Sequence, residues 1–210
     1  MQLTRPLKIR RYFNDHEIRK LHIGCGRHIL DGWLNVDRRP KRACVVRIDL
    51  RKRLPFADNS FQFVYSEHLI EHLEYVEGAR MLAECHRILA PGGKIRISTP
   101  DLDFLLGLQE ESRSKLEDGY IRWSVEEHVA EAPIQDPAFV INNFFRDWGH
   151  RFIHSKNSLN YALTQAGFVR ITPCRIGTSD SPDLCGLENV GRMPDGYLEL
   201  ESLVLEAEKQ

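Results

Sequence analysis

Leu21-His22-Ile23-Gly24-Cys25-Gly26 is the stretch on which the reading of this sequence turns. Lys20–Ile23 is a short run suited to a buried strand, and it ends directly in Gly-x-Gly. Glycine lacks a Cβ, so the backbone there can approach a ligand closely. In an open α/β sheet, ligands bind beyond the carboxyl ends of the strands. The next acid in such a position is Asp37, which closes a second predicted strand, Trp33–Val36. An acid there can accept hydrogen bonds from both hydroxyls of a ribose.

Outward from this turn the elements alternate. Cys44–Ile48 reads as a third strand ending at Asp49, and Phe61–Tyr65 as a fourth, after the turn-rich Leu54–Ser60. Ala79, Leu82, Cys85, Ile88 and Leu89 form one apolar helical stripe, which Pro91-Gly92-Gly93 is expected to stop. Lys94–Ser98 is a fifth strand. Residues 101–118 read as helical, and 119–150 as an irregular, lid-like insertion. Ser155 is placed to cap a helix running to Ala166, with Gly167 at its stop. Phe168–Ile176 and Leu200–Ala207 are the last two strands. The pattern predicts one α/β domain over residues 1–210, with a Rossmann-like, mostly parallel seven-stranded sheet, helices on both faces and an antiparallel last strand.

Composition narrows the partners. The net charge of −1 speaks against a dedicated nucleic-acid binder. The charge is uneven: residues 1–105 carry 19 Lys/Arg against 13 Asp/Glu, and the rest 10 against 17. The basic excess is densest from Arg38 to Arg53 and reads as a solvated surface or an attractor of anionic substrate. The five cysteines are scattered without a CxxC pair, so neither a disulfide framework nor a cysteine zinc site is expected. No apolar run reaches the roughly 20 residues of a membrane helix. Met1–Pro6 lacks the apolar stretch of a secretory signal. The expected location is therefore cytoplasmic, without stable membrane insertion.

The dehydrogenase fingerprint is a poor match. Its third glycine is replaced by Ile29, and Asp37 follows Gly24 by 13 residues, where about 20 are usual. Several further pieces point elsewhere: Gly32-Trp33-Leu34-Asn35-Val36-Asp37, Leu54-Pro55-Phe56-Ala57-Asp58-Asn59-Ser60-Phe61, Tyr65-Ser66-Glu67-His68-Leu69-Ile70-Glu71-His72-Leu73 and Arg87-Ile88-Leu89-Ala90-Pro91-Gly92-Gly93. With the glycine turn they make residues 21–103 resemble the class I S-adenosylmethionine-dependent methyltransferases of the type 11 group, and within it a set with a shortened first crossover. The resemblance implies S-adenosylmethionine as cofactor. It implies that Gly24 and Gly26 pass under the methionyl part with the Cys25 backbone beside it, that Asp37 holds the ribose, that Asp49 binds the adenine amino group and that Leu50 packs on the ring or offers its backbone N–H. Ser66 and Glu67 would lie near the methionine moiety or the transferring methyl. The implied reaction moves a methyl group to a small-molecule or glycan acceptor. The alternative is a non-catalytic cofactor-binding or scaffolding protein of the same fold. The absence of an Asn/Asp-Pro-Pro-Tyr motif after the fourth strand speaks against the common N6-adenine and glutamine enzymes.

The histidines have two readings. His68-Leu69-Ile70-Glu71-His72 matches the H-x-x-E-H zinc motif, and on a helix both rings would share a face. A zinc peptidase needs a third ligand, which nothing near in sequence supplies, so no metal is expected. His68 is instead expected at the rim of the site, as a base or a packing residue, and His72 in packing. His150, in Asp147-Trp148-Gly149-His150, is a candidate base on the acceptor side, since histidine titrates near neutrality.

Overall fold

The computed structural model describes residues 4–210; Met1–Leu3, where the reading of the N-terminus begins, lie outside the described residues. Seven strands form one sheet: β1 (Lys20–Ile23), β2 (Leu34–Asp37), β3 (Val46–Arg47), β4 (Phe61–Glu67), β5 (Leu89–Pro100), β6 (Phe168–Pro173) and β7 (Ser202–Lys209). Their order is β3-β2-β1-β4-β5-β7-β6. Pairs β1–β2, β2–β3, β1–β4 and β4–β5 are parallel. β7 runs antiparallel to both neighbours, β5 and β6. This is the Rossmann-like, mostly parallel seven-stranded α/β architecture expected from the sequence, with β7 alone reversed. The chain winds outward from β1 to β3 and then returns to start β4 on the other side of β1. That reversal opens the crevice where ligands of such sheets bind.

Side chains alternate across the sheet. Leu21, Ile23, Leu34, Val36, Val64, Ile95, Ile97 and Leu205 share one apolar cluster with residues of α1 (Arg5–Asp15), α2 (Tyr75–Ile88) and α6 (Lys156–Gln165). The opposite face is covered by residues 174–196, which carry two single-turn 3-10 helices, Pro182–Leu184 and Val190–Arg192. There Leu184 and Leu187 pack with Trp33 and Tyr65. The first crossover, Gly24–Trp33, holds no helix. Asn35 organises it instead: its side-chain oxygen accepts from Leu30 N (3.0 Å), and its amide donates to the carbonyls of Leu30 (2.9 Å) and Trp33 (3.0 Å).

Several boundaries differ from the sequence reading. Trp33 and Cys44–Val45 lie in turns that lead into β2 and β3. Helix α2 ends at Ile88, because Leu89 pairs with Phe61 and so begins β5. Pro91-Gly92-Gly93 forms a bulge inside that strand, where pairing jumps from Leu89 to Lys94 and Gly92 takes φ +76°. β6 stops at Pro173, and a short helix α7 (Tyr197–Glu201) precedes β7. The single helix expected over 101–118 is two: α3 (Leu102–Gly107), capped by Asp101, and α4 (Lys115–His128), capped by Ser114 with Glu117 in a capping box. The irregular insertion expected over 119–150 is a correction of the same kind. It comprises most of α4 and all of α5 (Pro137–Arg146), whose Asp136 cap and Pro137 at the first position start it and whose Val140 and Phe144 are buried. These helices enclose a second cluster, with Leu105, Tyr120, Ile121, Val125, Val140 and Phe144, beyond the carboxyl ends of the strands. Helix α6 starts at Ser155 and stops at Gly167 as expected.

Candidate active site

β1 delivers Gly24 in the left-handed conformation (φ +69°), and the amides of Gly24 and Cys25 both donate to Val36 O (2.9 and 3.1 Å). A Cβ on Gly24 would lie 2.7 Å from Leu69 Cδ1, so the site requires glycine there. Gly26 N donates to Asp37 Oδ2 (3.0 Å), and Arg39 N to Asp37 Oδ1 (2.6 Å). Each Asp37 oxygen keeps a further lone pair. At the end of β3, Asp49 is paired with Arg51 (2.7 Å), and this guanidinium holds its carboxyl down to about 2. Gly24, Asp37, Asp49 and Leu50 together line a cleft of about 800 Å³, closed by Leu69 and Leu73 and edged by Arg38, Arg39, Arg51 and Arg151. Part of the basic run from Arg38 to Arg53 thus faces this cleft.

The other four expected cofactor residues do not line the cleft. Cys25 is buried beside it, and burial pushes its thiol up to about 12. Gly26 takes part through its amide on Asp37. Ser66 is fully buried within β4, and its hydroxyl has no partner. Glu67 points to the other face, where it accepts from Asn189 N (3.1 Å).

A second cavity, of about 520 Å³, adjoins the cleft. Tyr120 and Trp123 of α4, Phe144 of α5, and Trp148 supply aromatic walls; His68, Glu71, His72, His150, Arg192 and Glu201 supply polar groups. His72 lines both spaces. The segment Gly149–Arg151 stands between them: Gly149 and Arg151 face the cleft, His150 the cavity. It is tied down by Arg151 N and Phe152 N, both donating to Glu71 O (2.7 and 3.1 Å).

The motif His68–His72 is not the helix on which zinc ligands would share a face. His68 has φ +44°, and only Ile70–His72 form a 3-10 turn. Arginine can only donate, so His68 Nε2 accepts from Arg192 Nη2 (2.6 Å). The proton then sits on Nδ1, 3.4 Å from Glu71 Oε1. Burial holds His68 well below its ordinary range, with Arg192 adding to the effect. His150 Nδ1 donates to Phe144 O (2.8 Å), which leaves Nε2 with the lone pair. Burial lowers its pKa as well, so the ring is neutral at neutral pH. Glu71 is fully buried, and burial raises its carboxyl to about 8. Glu71, Tyr120, Trp123, Trp148, Arg192 and Glu201 escaped the sequence reading as site residues. For Glu71 alone there was a local signal, an acid set between two histidines.

Residues 31–97 match the family model described as a methyltransferase domain. The match runs from the first crossover into β5 and takes in β2, β3, β4 and α2. No curated protein matches the chain. Among solved structures, the chain is similar to a SAM-dependent methyltransferase from Archaeoglobus fulgidus, at 17% identity over 98% of this chain and 95% of the other (TM-score 0.55). It is similar to one from Thermotoga maritima described as a possible histamine N-methyltransferase, at 18% identity over 99% and 90% (TM-score 0.53). A third, from Mesorhizobium loti, is 19% identical over 91% of each chain (TM-score 0.51). These likenesses concern the fold.

The cofactor of class I methyltransferases is S-adenosylmethionine, and the cleft fits that group on two observations. Asp37 has lone pairs left for a diol. Leu50, Leu69 and Leu73 offer apolar walls for a flat ring.

Proposed function

We propose that this protein is an S-adenosylmethionine-dependent methyltransferase that takes a small-molecule or glycan acceptor from the aromatic cavity. The observation that carries this reading is the junction of the two spaces at His72. One space is lined by four of the eight residues expected to hold the cofactor, Gly24, Asp37, Asp49 and Leu50, and the other is large enough for a ring-sized partner. When bound, S-adenosylmethionine supplies an electrophilic sulfonium methyl. Gly24 lets the backbone pass under the methionyl part; Asp37 holds the ribose, and Leu50 covers the adenine. Tyr120, Trp123, Phe144 and Trp148 cover the apolar faces of an acceptor ring and exclude water from it. Glu201 and the neutral His150 accept hydrogen bonds from its hydroxyls. His150 Nε2 can take a proton from the attacking group. His68, with Nε2 engaged by Arg192, is a positioning residue in this scheme. The five cysteines are free, in keeping with a reducing cytoplasm.

The test is transfer of labelled methyl from the cofactor into a pool of small metabolites and oligosaccharides. His150→Asn is expected to lower turnover at least tenfold while changing S-adenosylhomocysteine affinity less than threefold. Equal loss of both would assign His150 a structural role. Cofactor binding without transfer to any acceptor would favour the scaffolding reading.

A further inference from the structure

Three groups with metal-binding chemistry converge on the wall between cleft and cavity. One ligand atom each from Glu71, His72 and His150 lies within 4.8 Å of the other two. The fold thus brings to Glu71-His72 the distant third residue that neighbouring sequence does not supply.

Two independent features mark this as a site. Glu71 is fully buried and lines the cavity, yet its Oε1 has no hydrogen-bond partner, while Oε2 accepts from Thr99 Oγ1 (3.1 Å). An unsatisfied buried carboxylate oxygen is costly unless something else completes it. His150 is also oriented from behind. It donates from Nδ1 to Phe144 O (2.8 Å), which presents Nε2. Histidines that ligate metals are held this way, by a backbone or carboxylate partner on the other nitrogen.

We infer that Glu71, His72 and His150 bind one divalent transition-metal cation of the Zn²⁺ or Mn²⁺ kind. Two imidazoles and one carboxylate suit such ions better than Ca²⁺ or Mg²⁺, which prefer all-oxygen sets. His68 is not a ligand: its Nε2 is committed to Arg192, and its protonated Nδ1 stands 3.4 Å from Glu71 Oε1 without hydrogen-bonding it. All three residues line the aromatic cavity. Resting on the methyl-transfer reading, this would place a hydroxyl or carboxylate oxygen of the acceptor on the cation, beside the cofactor cleft; His150 Nε2 would then serve as ligand, and the cation, by acidifying that hydroxyl, would replace it as the group that promotes proton loss.

The full chain, stripped with a chelator, is titrated with Mn²⁺ while the free-ion electron paramagnetic resonance signal is followed, and with Zn²⁺ by calorimetry. Uptake of one ion per chain is expected, weakened at least tenfold in His72→Ala, His150→Ala and the near-isosteric Glu71→Gln. His86→Gln, which alters a histidine set against Gly167, should leave uptake unchanged. S-adenosylhomocysteine affinity in the same samples reports that each variant is folded and keeps the two readings apart. Cofactor binding with no uptake of either ion overturns the metal site and leaves the cofactor site standing. Stoichiometric uptake that persists in the His72→Ala/His150→Ala double variant also overturns it.

Discussion

His22 sits in β1 with 1% of its surface exposed, its Nδ1 3.1 Å from Asn35 Oδ1. The Asn35 oxygen also accepts from Leu30 N, so the ring donates to it from Nδ1. Burial pushes the His22 pKa down to about 4, and burial does the same for His154. Both rings are therefore neutral in the folded chain where an unfolded histidine binds a proton, between about pH 6.5 and pH 4. The unfolded state holds more protons in that window, so stability is present above it and is lost as the pH falls through it. Urea unfolding at pH 7 and pH 5 should show a loss of about 2 kcal/mol from each such ring. His22→Gln should remove its share of that difference; an unchanged pH dependence in the variant would refute the assignment. At this scale the sequence was informative where function follows strand ends. Gly24, Asp37, Asp49 and Leu50 stand beyond consecutive strands, and all face one cleft. Ser66 and Glu67 are the last two residues of β4, and the pleat turns Ser66 into the sheet and Glu67 to the opposite face. Local sequence does not announce that choice. Arg192, Glu201 and Trp123 come from three separate segments and meet only in the folded chain.

Among the elements, the segment 174–196 does the work that crossover helices do in larger sheets. Its anchor is Arg96 of β5, fully buried, which binds Glu188 (2.6 Å), Glu206 (2.5 Å) and the carbonyls of Thr178 (2.8 Å) and Arg175 (3.0 Å). Glu188 in turn accepts from Gly177 N (2.9 Å) and Glu206 from Ser179 Oγ (3.0 Å). Arg96→Leu would leave two carboxylates buried without their cation. A loss of about 3–5 kcal/mol is expected, read by chemical denaturation, together with new proteolytic cleavage within 174–196. Unchanged stability would show that the network is not what holds this cover. The cover was not legible as structure, because its polar contacts are long-range and it has no periodicity. The α4–α5 pair is different, since its signals were present. Ser114 with Glu117 and Asp136 with Pro137 are both helix starts. They were masked by helix-favouring residues from Gln109 to Arg113, which make 101–118 read as continuous, and by aromatic residues that blur the apolar stripe beyond.

Across the whole molecule, the order of strands and the reversal at β1 and β4 set the functional geometry. The sheet brings Gly24, Asp37 and Asp49 to one rim, and the α3–α5 cluster roofs the neighbouring space. The overall architecture was legible because buried parallel strands leave short apolar runs between turn residues, and seven such runs stand in the chain. The junction at His72 was not, because it depends on how Gly149–Arg151 returns over Glu71. Among the described residues no helix is long and apolar enough to cross a membrane. The central claim, that the cleft below Gly24 and Asp37 holds S-adenosylmethionine, is tested most directly by calorimetric titration of S-adenosylhomocysteine. One site per chain is predicted, with affinity reduced at least tenfold by Asp37→Ala, as the loss of charge-assisted hydrogen bonds requires. No heat with S-adenosylhomocysteine or S-adenosylmethionine, together with binding of NAD, would contradict it.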